Sequence, residues 1–302
     1  MISILWCLLG IFAGVIFGTI PGAAAFLAIA TFYPLLYTLD PFNILLFYIA
    51  LLITCNYTNS ITAILYGIPG DASAVATARH GHNLLLKGEG HLAVSSNAIS
   101  STIGSIFAIG LFLIFLPSIY SIFQFYNSTI QLAIISLAVI LLTVLSQQKT
   151  WYTILLFILG GVLAKIGFDN MTHTTWGTFD IDYLTLGIPF SAVMIGLYIV
   201  PELLKFRGVE FSLRKNIKKF GCAPSTLPAT GVGSFVGFWC GLIPGVTNVL
   251  GSYLSANLVK TDMKKIAAAE SANNSGALSS LLPLIILGIP IVGSEVLIYY
   301  LI

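Results

Sequence analysis

The chain has 302 residues, of which 57% are hydrophobic and only 8% are charged, and its formal net charge is +2. A typical soluble domain carries about 25% charged residues, so this composition excludes a water-soluble globular protein and indicates an integral membrane protein. The small net charge gives no support to a nucleic-acid-binding function, which depends on a strongly basic surface.

Apolar runs of membrane-spanning length recur along the chain. Because a helix needs about 20 apolar residues to cross a hydrocarbon core of about 30 Å, the runs predict an all-α polytopic membrane protein. The runs are residues 3–39, 43–66, 92–117, 129–146, 151–167, 182–204, 228–259 and 277–302, the first and seventh being interrupted. Four cysteines lie mostly within these runs without metal-binding or disulfide spacing, and we interpret them as small buried apolar residues.

The cations predict the orientation of the chain. Six of the 13 Lys and Arg residues fall within 205–219, so the positive-inside rule places the loop 205–221 in the cytoplasm. The preceding segment 167–182 carries acidic residues and no cation, and it is predicted to lie outside. Alternating backwards places the turn at Lys149 inside, the turn at 118–128 outside and the turn at Asp40 outside.

A pair of motifs occurs twice. GTIPG at 18–22 is echoed by GLIPG at 241–245, and GIPG at 67–70 is echoed by GIP at 288–290. An amide and a hydroxyl side chain precede each later motif. The match predicts an internal repeat. It divides the chain into a first structural repeat at 1–117, connecting transmembrane helices with the basic loop at 118–221, and a second repeat at 222–302 whose completeness stays open.

The charges predict that the two halves have opposite orientations. If the broken segments 3–39 and 228–259 are re-entrant hairpins, one enters from outside and the other from the cytoplasm. This arrangement is the inverted repeat of many secondary transporters. If both segments instead span the membrane, Lys260, Lys264 and Lys265 fall outside against the positive-inside rule. We therefore expect hairpins.

The Pro-Gly motifs are expected to interrupt helices inside the membrane. Proline removes an amide donor, and glycine relaxes the steric limits on the backbone. Interrupted helices expose N–H groups that attract anions and carbonyl groups that attract cations. Beside GIPG, the side chains of Asn59, Ser60 and Thr62 add donors and oxygens, which suits a small anion together with a cation such as sodium. The alternative is a set of proline kinks in which polar side chains join neighbouring helices.

The same residues resemble a known family. GTIPG, NSITAILYGIPGDASAVAT, GLIPG and AAAESANNSGALSSLLPLIILGIP, in this order, are similar to the large membrane subunit of tripartite tricarboxylate transporters. The resemblance covers most of the chain. It implies a bacterial or archaeal secondary transporter for organic carboxylates that is driven by an ion gradient. We expect a multi-pass protein of the inner membrane that works by alternating access and is coupled to sodium or protons. The resemblance further implies two protein partners, a small four-helix membrane subunit and an extracytoplasmic solute-binding protein.

The resemblance also assigns binding residues by position. They are Thr19, Pro21, Gly22, Asn59, Ser60, Gly67, Pro69, Gly70, Pro244, Gly245, Thr247, Asn248, Glu270, Asn273, Asn274, Ser275, Gly288 and Pro290. A sodium site is expected at Asn59, Ser60, Asn274 and Ser275, with no other metal and no organic cofactor. The chain departs from the family pattern at Thr58-Asn59, where Gly-Gly is usual, and in its length, so the substrate stays open.

Three further features carry open alternatives. Glu270 is interpreted either as a cation ligand or proton carrier, or as an interfacial helix cap. Glu295 needs a partner if it is buried. His80, His82, Glu89 and His91 form either a metal or pH-sensing site or, as we expect from their irregular spacing, part of a solvated cytoplasmic loop.

Two other functions were weighed against transport. A scaffold subunit that does not transport, or a truncated relative, is compatible with the short chain. An intramembrane enzyme would need a nucleophile with a base, or paired carboxylates, on facing helices, and the apolar runs contain no such pattern. The chain is therefore not expected to be an enzyme.

Overall fold

The computed structural model describes residues 2–22, 24–123, 149–169, 172–189, 224–243 and 247–302, together with scattered residues within 127–143 and 192–204. In chain order the elements are α1 (Ile2–Thr19), α2 (Ala24–Leu36), α3 (Pro41–Tyr66), α4 (Val75–Leu86), α5 (Gly90–Phe123), α6 (Thr150–Ala164), β1 (Gly167–Asp169), β2 (Thr174–Trp176), α7 (Asp182–Thr185), α8 (Leu227–Gly241), α9 (Thr247–Asn257), α10 (Asp262–Leu287) and α11 (Gly293–Tyr299). Short 3₁₀ turns occur at Ala72–Ala74 and Pro224–Thr226.

The chain divides into two compact units. The larger unit comprises Met1–Ala138 and Glu210–Ile302, and the smaller unit comprises Val139–Val209. Within the smaller unit, β1 and β2 pair in antiparallel register, with Gly167 opposite Trp176. This hairpin was not expected from the sequence, although the run of Thr174, Thr175 and Trp176 is rich in residues that favour strands.

The prediction of a predominantly helical chain agrees with the structure. Among the described residues, two helical stretches are both long and apolar enough to cross a membrane, Pro41–Tyr66 and Gly90–Phe115. They coincide with the predicted runs 43–66 and 92–117. Shorter apolar helices cover Ser3–Thr19, Ala25–Leu36 and Thr150–Ala164. The predicted run 129–146 and the basic loop 205–221 lie largely or wholly outside the described residues, so the full count of crossings stays a prediction.

Two stripes of glycine bring pairs of helices into close contact. The α1 glycine stripe (Gly10, Gly14 and Gly18) faces α3, and a Cβ added to Gly14 would lie 2.7 Å from the carbonyl oxygen of Leu51. The α8 glycine stripe (Gly233, Gly237 and Gly241) faces α10 in the same way. Glycine at every fourth position lets helix backbones approach directly, which is a common way to pack helices in membranes.

The helices on either side of the connecting region correspond in order and length. Each set contains a glycine-striped helix, a second helix after a break, and a long helix, α3 or α10, of 26 residues. Both long helices end at a glycine in the left-handed conformation, Gly67 with φ 69° and Gly288 with φ 65°. A left-handed glycine stops a helix because it reverses the chain without a steric penalty. A break and a further helix, α4 or α11, follow each long helix.

Helix α3 has a strong N-terminal cap. The side chain of Asp40 accepts a hydrogen bond from the backbone N–H of Asn43 at 3.2 Å, and Pro41 occupies the first helical turn. The hydrogen bonds from Asn43 hold the pKa of Asp40 below its usual range. The cap fixes the start of α3, so the polar residues near the other end of the helix have a defined position.

The core beside this helix is apolar. Buried side chains from α1, α2, α3, α10 and α11 form one cluster that includes Ile29, Phe47, Leu51, Leu281 and Ile298. Buried polar residues are most numerous along α3, α5 and α10, and others lie on α4, α8, α9 and α11. The larger unit therefore buries many polar side chains in addition to its apolar core.

Candidate functional site

The two Pro-Gly motifs of the first half contact each other. Helix α1 ends at Thr19, and the backbone N–H of Gly22 donates to the carbonyl oxygen of Gly70 at 2.8 Å. Gly70 and Pro69 are buried in the break after α3. A Cβ on Gly70 would lie 2.3 Å from Cβ of Asn59, so only glycine lets this break approach the middle of α3.

The corresponding motifs of the second half are described in part. Helix α8 ends at Gly241 and α9 begins at Thr247, whereas Pro244 and Gly245 lie outside the described residues. In α9, Asn248 donates from Nδ2 to Oδ1 of Asn273 at 2.7 Å and so links the break to α10. The turn after α10 contains Gly288 and Pro290, both half-buried, and Gly288 lies beside Tyr299 of α11.

Helices α3, α4 and α10 meet at a buried carboxylate. Oε1 of Glu270 accepts a hydrogen bond from Oγ of Ser60 at 2.8 Å and another from the hydroxyl of Thr77. The Ser60 hydroxyl also lies 3.0 Å from Oδ1 of Asn59. All four side chains are buried, and Glu270 is 0% exposed. The fold thus joins Asn59 and Ser60 to Glu270, which are 210 or more positions apart in the chain.

Five buried side-chain atoms near this carboxylate have no hydrogen-bond partner among the described residues. They are the amide nitrogens of Asn56, Asn59 and Asn273 and two oxygens, Oε2 of Glu270 and Oδ1 of Asn274. A buried polar atom left without a partner costs about 1–3 kcal/mol. Such a concentration on two facing helices indicates a place where a polar ligand completes the hydrogen bonds. We call the set Asn56, Asn59, Ser60, Thr77, Glu270, Asn273 and Asn274 the polar centre.

A second carboxylate, Asp71, lies next to the polar centre. It directly follows GIPG, and its Oδ1 accepts from the backbone N–H of Ser73 at 2.8 Å and from the Ser73 hydroxyl at 2.5 Å. Its charge acts on Glu270, and the amide of Asn59 lies near it without completing a hydrogen bond of ordinary geometry. Asp71 is only half-buried.

Asp71 and Thr77 were not among the site residues predicted from the sequence. The signal for Asp71 was present, because an acidic residue directly after a break inside an apolar region is unusual. Thr77 carried no comparable signal, since threonine is common on helix surfaces.

The hydroxyls of other predicted site residues donate hydrogen bonds to backbone carbonyl oxygens of the helices. The hydroxyl of Thr19 donates to the carbonyl oxygen of Ile16, and that of Thr62 donates to the carbonyl oxygen of Asn59. The Ser275 hydroxyl donates at 2.7 Å to the carbonyl oxygen of Ser234 on α8. This oxygen therefore serves the packing of α8 against α10. The sodium site expected at Asn59, Ser60, Asn274 and Ser275 stays a prediction.

The two buried glutamates have different roles. Glu270 lies in the interior of α10 and is fully buried, so the interpretation of Glu270 as an interfacial helix cap was wrong. Glu295 is the residue that caps a helix. Its Oε2 accepts from the backbone N–H groups of Ile291 at 2.8 Å and Val292 at 3.3 Å, and its Oε1 accepts from Ser280. Both oxygens of Glu295 are satisfied, whereas Glu270 has one oxygen without a partner.

The predicted solvated loop around the histidines was also wrong. Residues 75–86 form helix α4, in which His80 contacts Asp262 at 2.8 Å and Nδ1 of His82 lies 3.2 Å from the carbonyl oxygen of Ile64. Burial lowers the pKa of His80 and outweighs the hydrogen bond to Asp262, which raises it. The described part of the chain contains no group of three or more His, Cys, Asp or Glu residues able to hold a metal ion. His80 and His82 therefore anchor α4 to α10 and α3.

Discontinuous apolar helices with buried polar side chains between them define an α-helical membrane protein. The family model described as "Tripartite tricarboxylate transporter TctA family" matches residues 4–302. The chain therefore belongs to this family, which confirms the resemblance seen in its motifs. Members of this family are membrane components of tricarboxylate transporters.

Two curated proteins are similar to the chain. An uncharacterized 52.8 kDa protein of Agrobacterium vitis, named for the TAR-I ttuC' 3' region, is 28% identical over 308 residues, covering 96% of this chain and 61% of that protein. An uncharacterized protein of Methanocaldococcus jannaschii is 27% identical over 299 residues, covering 96% of this chain and 70% of that protein. The chain thus spans 61% and 70% of the lengths of these two relatives. No solved structure matches it.

Proposed function

We propose that the chain is the membrane subunit of an ion-coupled secondary transporter for organic carboxylates, with tricarboxylates as the substrate class. Membership of the family supports the assignment. The observation that carries it is the polar centre, where the buried amide nitrogens of Asn56, Asn59 and Asn273 complete no hydrogen bond among the described residues, although that of Asn59 lies near Asp71. Amide donors without partners are suited to the oxygens of a carboxylate, since hydrogen bonds to a charged acceptor are stronger than those between neutral groups.

The charges around the polar centre favour coupling to a cation. No Lys or Arg is among the buried side chains of the described residues. A carboxylate substrate brought here would add negative charge beside Glu270, and an uncompensated buried charge is costly. A co-transported sodium ion or proton would remove this cost. One elementary charge moving through 100 mV releases about 2.3 kcal/mol, which is enough to concentrate a substrate severalfold.

The movement we propose is alternating access between two inverted structural repeats. Two observations support it: the corresponding order of α1–α3 and α8–α10, and the helix ends at the Pro-Gly motifs. The glycine stripes would let each broken pair move with its long helix as one body, because the backbones are in direct contact. The substrate would bind between the exposed ends of the interrupted helices, near the middle of the membrane.

The assembly and location follow from the family. We propose an inner-membrane complex with a small four-helix membrane subunit and an extracytoplasmic solute-binding protein that delivers the carboxylate. The basic loop 205–221 would face the cytoplasm. Because the chain spans only part of its relatives' lengths, a scaffold role without transport is the alternative that an uptake measurement must exclude.

Replacing Asn59 or Asn273 with leucine is expected to reduce uptake of a labelled tricarboxylate about tenfold or more in proteoliposomes. Each change removes a donor worth about 1–3 kcal/mol to a charged partner, and 1.4 kcal/mol corresponds to a factor of ten. Asn257→Leu is the matched control, because the Asn257 amide is exposed and bonds only within α9.

The outcome separates transport from the scaffold role. Uptake by wild type that falls in both variants and persists in the control supports the proposal. Wild-type protein reconstituted with its partner subunits that takes up no carboxylate, or variants that transport as well as wild type, would contradict it.

A further inference from the structure

The surroundings of Glu270 define a cation site that differs from the one predicted from sequence. We infer that Glu270 and Asp71, together with the oxygens of Asn59, Ser60 and Thr77, bind one sodium ion. This inference deepens the proposed function and rests on it for its physiological meaning. The site consists entirely of oxygen ligands from α3, α4, α10 and the turn after GIPG.

Hydrogen bonds gather the oxygens of Ser60, Thr77 and Asn59 around Oε1 of Glu270, and the charge of Asp71 acts on the same carboxyl. Ser60 and Thr77 both bond to Oε1 of Glu270, and the Asn59 oxygen lies 3.0 Å from the Ser60 hydroxyl. Carboxylate, hydroxyl and amide oxygens are hard ligands of the kind that unpolarisable cations prefer. None of them belongs to the glutamate at 295, whose oxygens are already satisfied.

An oxygen without a partner points to a missing ligand. Oε2 of Glu270 is buried, accepts no hydrogen bond, and belongs to a side chain that is 0% exposed. The two ion pairs of the described chain, His80 and Lys87 with Asp262, do not involve Glu270. A buried carboxylate without a cation is strongly disfavoured. A bound cation would satisfy Oε2 and neutralise the charge in one step.

The balance of charge favours a monovalent ion. Asp71 already accepts two hydrogen bonds from Ser73, one of them from the backbone, and these bonds stabilise its charge. Glu270 has no such compensation beyond two neutral hydroxyls. The charge of Glu270 is therefore the one that lacks a partner, and a single sodium ion neutralises it.

The test is sodium binding to the purified full chain in detergent, without any carboxylate. Binding of ²²Na⁺ should saturate, and NaCl should raise the thermal unfolding midpoint above that in KCl or choline chloride at equal ionic strength. In Glu270→Gln and Asp71→Asn, we expect the affinity for sodium to fall about tenfold or more. Thr77→Val should weaken binding, and Thr77→Ser should restore it because the hydroxyl is kept.

Glu295→Gln is the matched control. It neutralises the other buried glutamate, so it should lower thermal stability while leaving sodium affinity unchanged. Wild-type protein without saturable sodium binding, a stronger response to Ca²⁺ than to Na⁺, or full sodium affinity in Glu270→Gln would overturn the site. Because no carboxylate is present in this assay, its results do not test carboxylate transport. Conversely, sodium binding without carboxylate uptake would refute the proposed function and keep the site.

Discussion

Alanine at Gly237 is expected to destabilise the protein, although alanine is normally the best helix former. A Cβ at this position would lie 2.3 Å from the carbonyl oxygen of Ala272 and 2.5 Å from its Cα. Both atoms belong to the backbone of α10, which cannot rotate away as a side chain could. The two helices must separate, and overpacking of this kind costs about 1–3 kcal/mol. We expect lower resistance to thermal and denaturant-induced unfolding in detergent.

Gly231 on the same helix is the matched control. A Cβ there meets no atom within 4 Å, so Gly231→Ala adds helix propensity without a clash and should be neutral or stabilise by up to about 1 kcal/mol. Opposite effects of one substitution at two positions of one helix would show that the α8 glycine stripe is a packing surface. Equal stability of the two variants would refute the contact between α8 and α10.

A similar change at Gly70 is expected to abolish function while leaving the helices folded. The added Cβ would lie 2.3 Å from Cβ and 2.9 Å from Cα of Asn59, so the turn after α3 must withdraw. Withdrawal breaks the hydrogen bond from Gly22 to Gly70 and moves Asp71, the next residue, away from the polar centre. Because positioning errors of about 1 Å cost large factors at functional sites, we expect carboxylate uptake and sodium affinity to fall at least about tenfold.

Helical content by circular dichroism and elution as a single species should show that Gly70→Ala still folds. Gly110→Ala on α5 is the control, since a Cβ there also meets no atom within 4 Å. Uptake that survives Gly70→Ala would mean that the close approach of the GIPG turn to α3 has no part in transport.

Local features of the fold could be predicted from the sequence. The apolar lengths of α3 and α5 match their runs, and the left-handed glycines at 67 and 288 end helices where the motifs predicted breaks. The close packing at the α1 glycine stripe is also predictable from the sequence, since Gly10, Gly14 and Gly18 repeat at every fourth position. These features depend on backbone preferences and on residues close in sequence, so the information for them is local.

The sequence did not allow us to predict which distant residues meet at the site. Asn59 and Ser60 were expected to contribute to binding, but their contact with Glu270 depends on how α3 packs against α10, and residue types do not determine that packing. Helix α4 was mistaken for a loop because its residues are polar. Its buried face carries Thr77, which donates to Glu270. Long-range packing therefore decides which of the candidate residues meet.

The central claim is that the polar centre is a ligand site open to water in the membrane-embedded protein, and cysteine accessibility tests it most directly. The four native cysteines would be replaced, and single cysteines placed at Asn59 in the polar centre and at Leu52, which is buried in the apolar core of the same helix. In proteoliposomes, we predict that a small hydrophilic thiol reagent modifies Asn59→Cys much faster than Leu52→Cys, and that a tricarboxylate slows the reaction only at position 59. Equal, slow modification at both positions, unaffected by the tricarboxylate, would contradict the account.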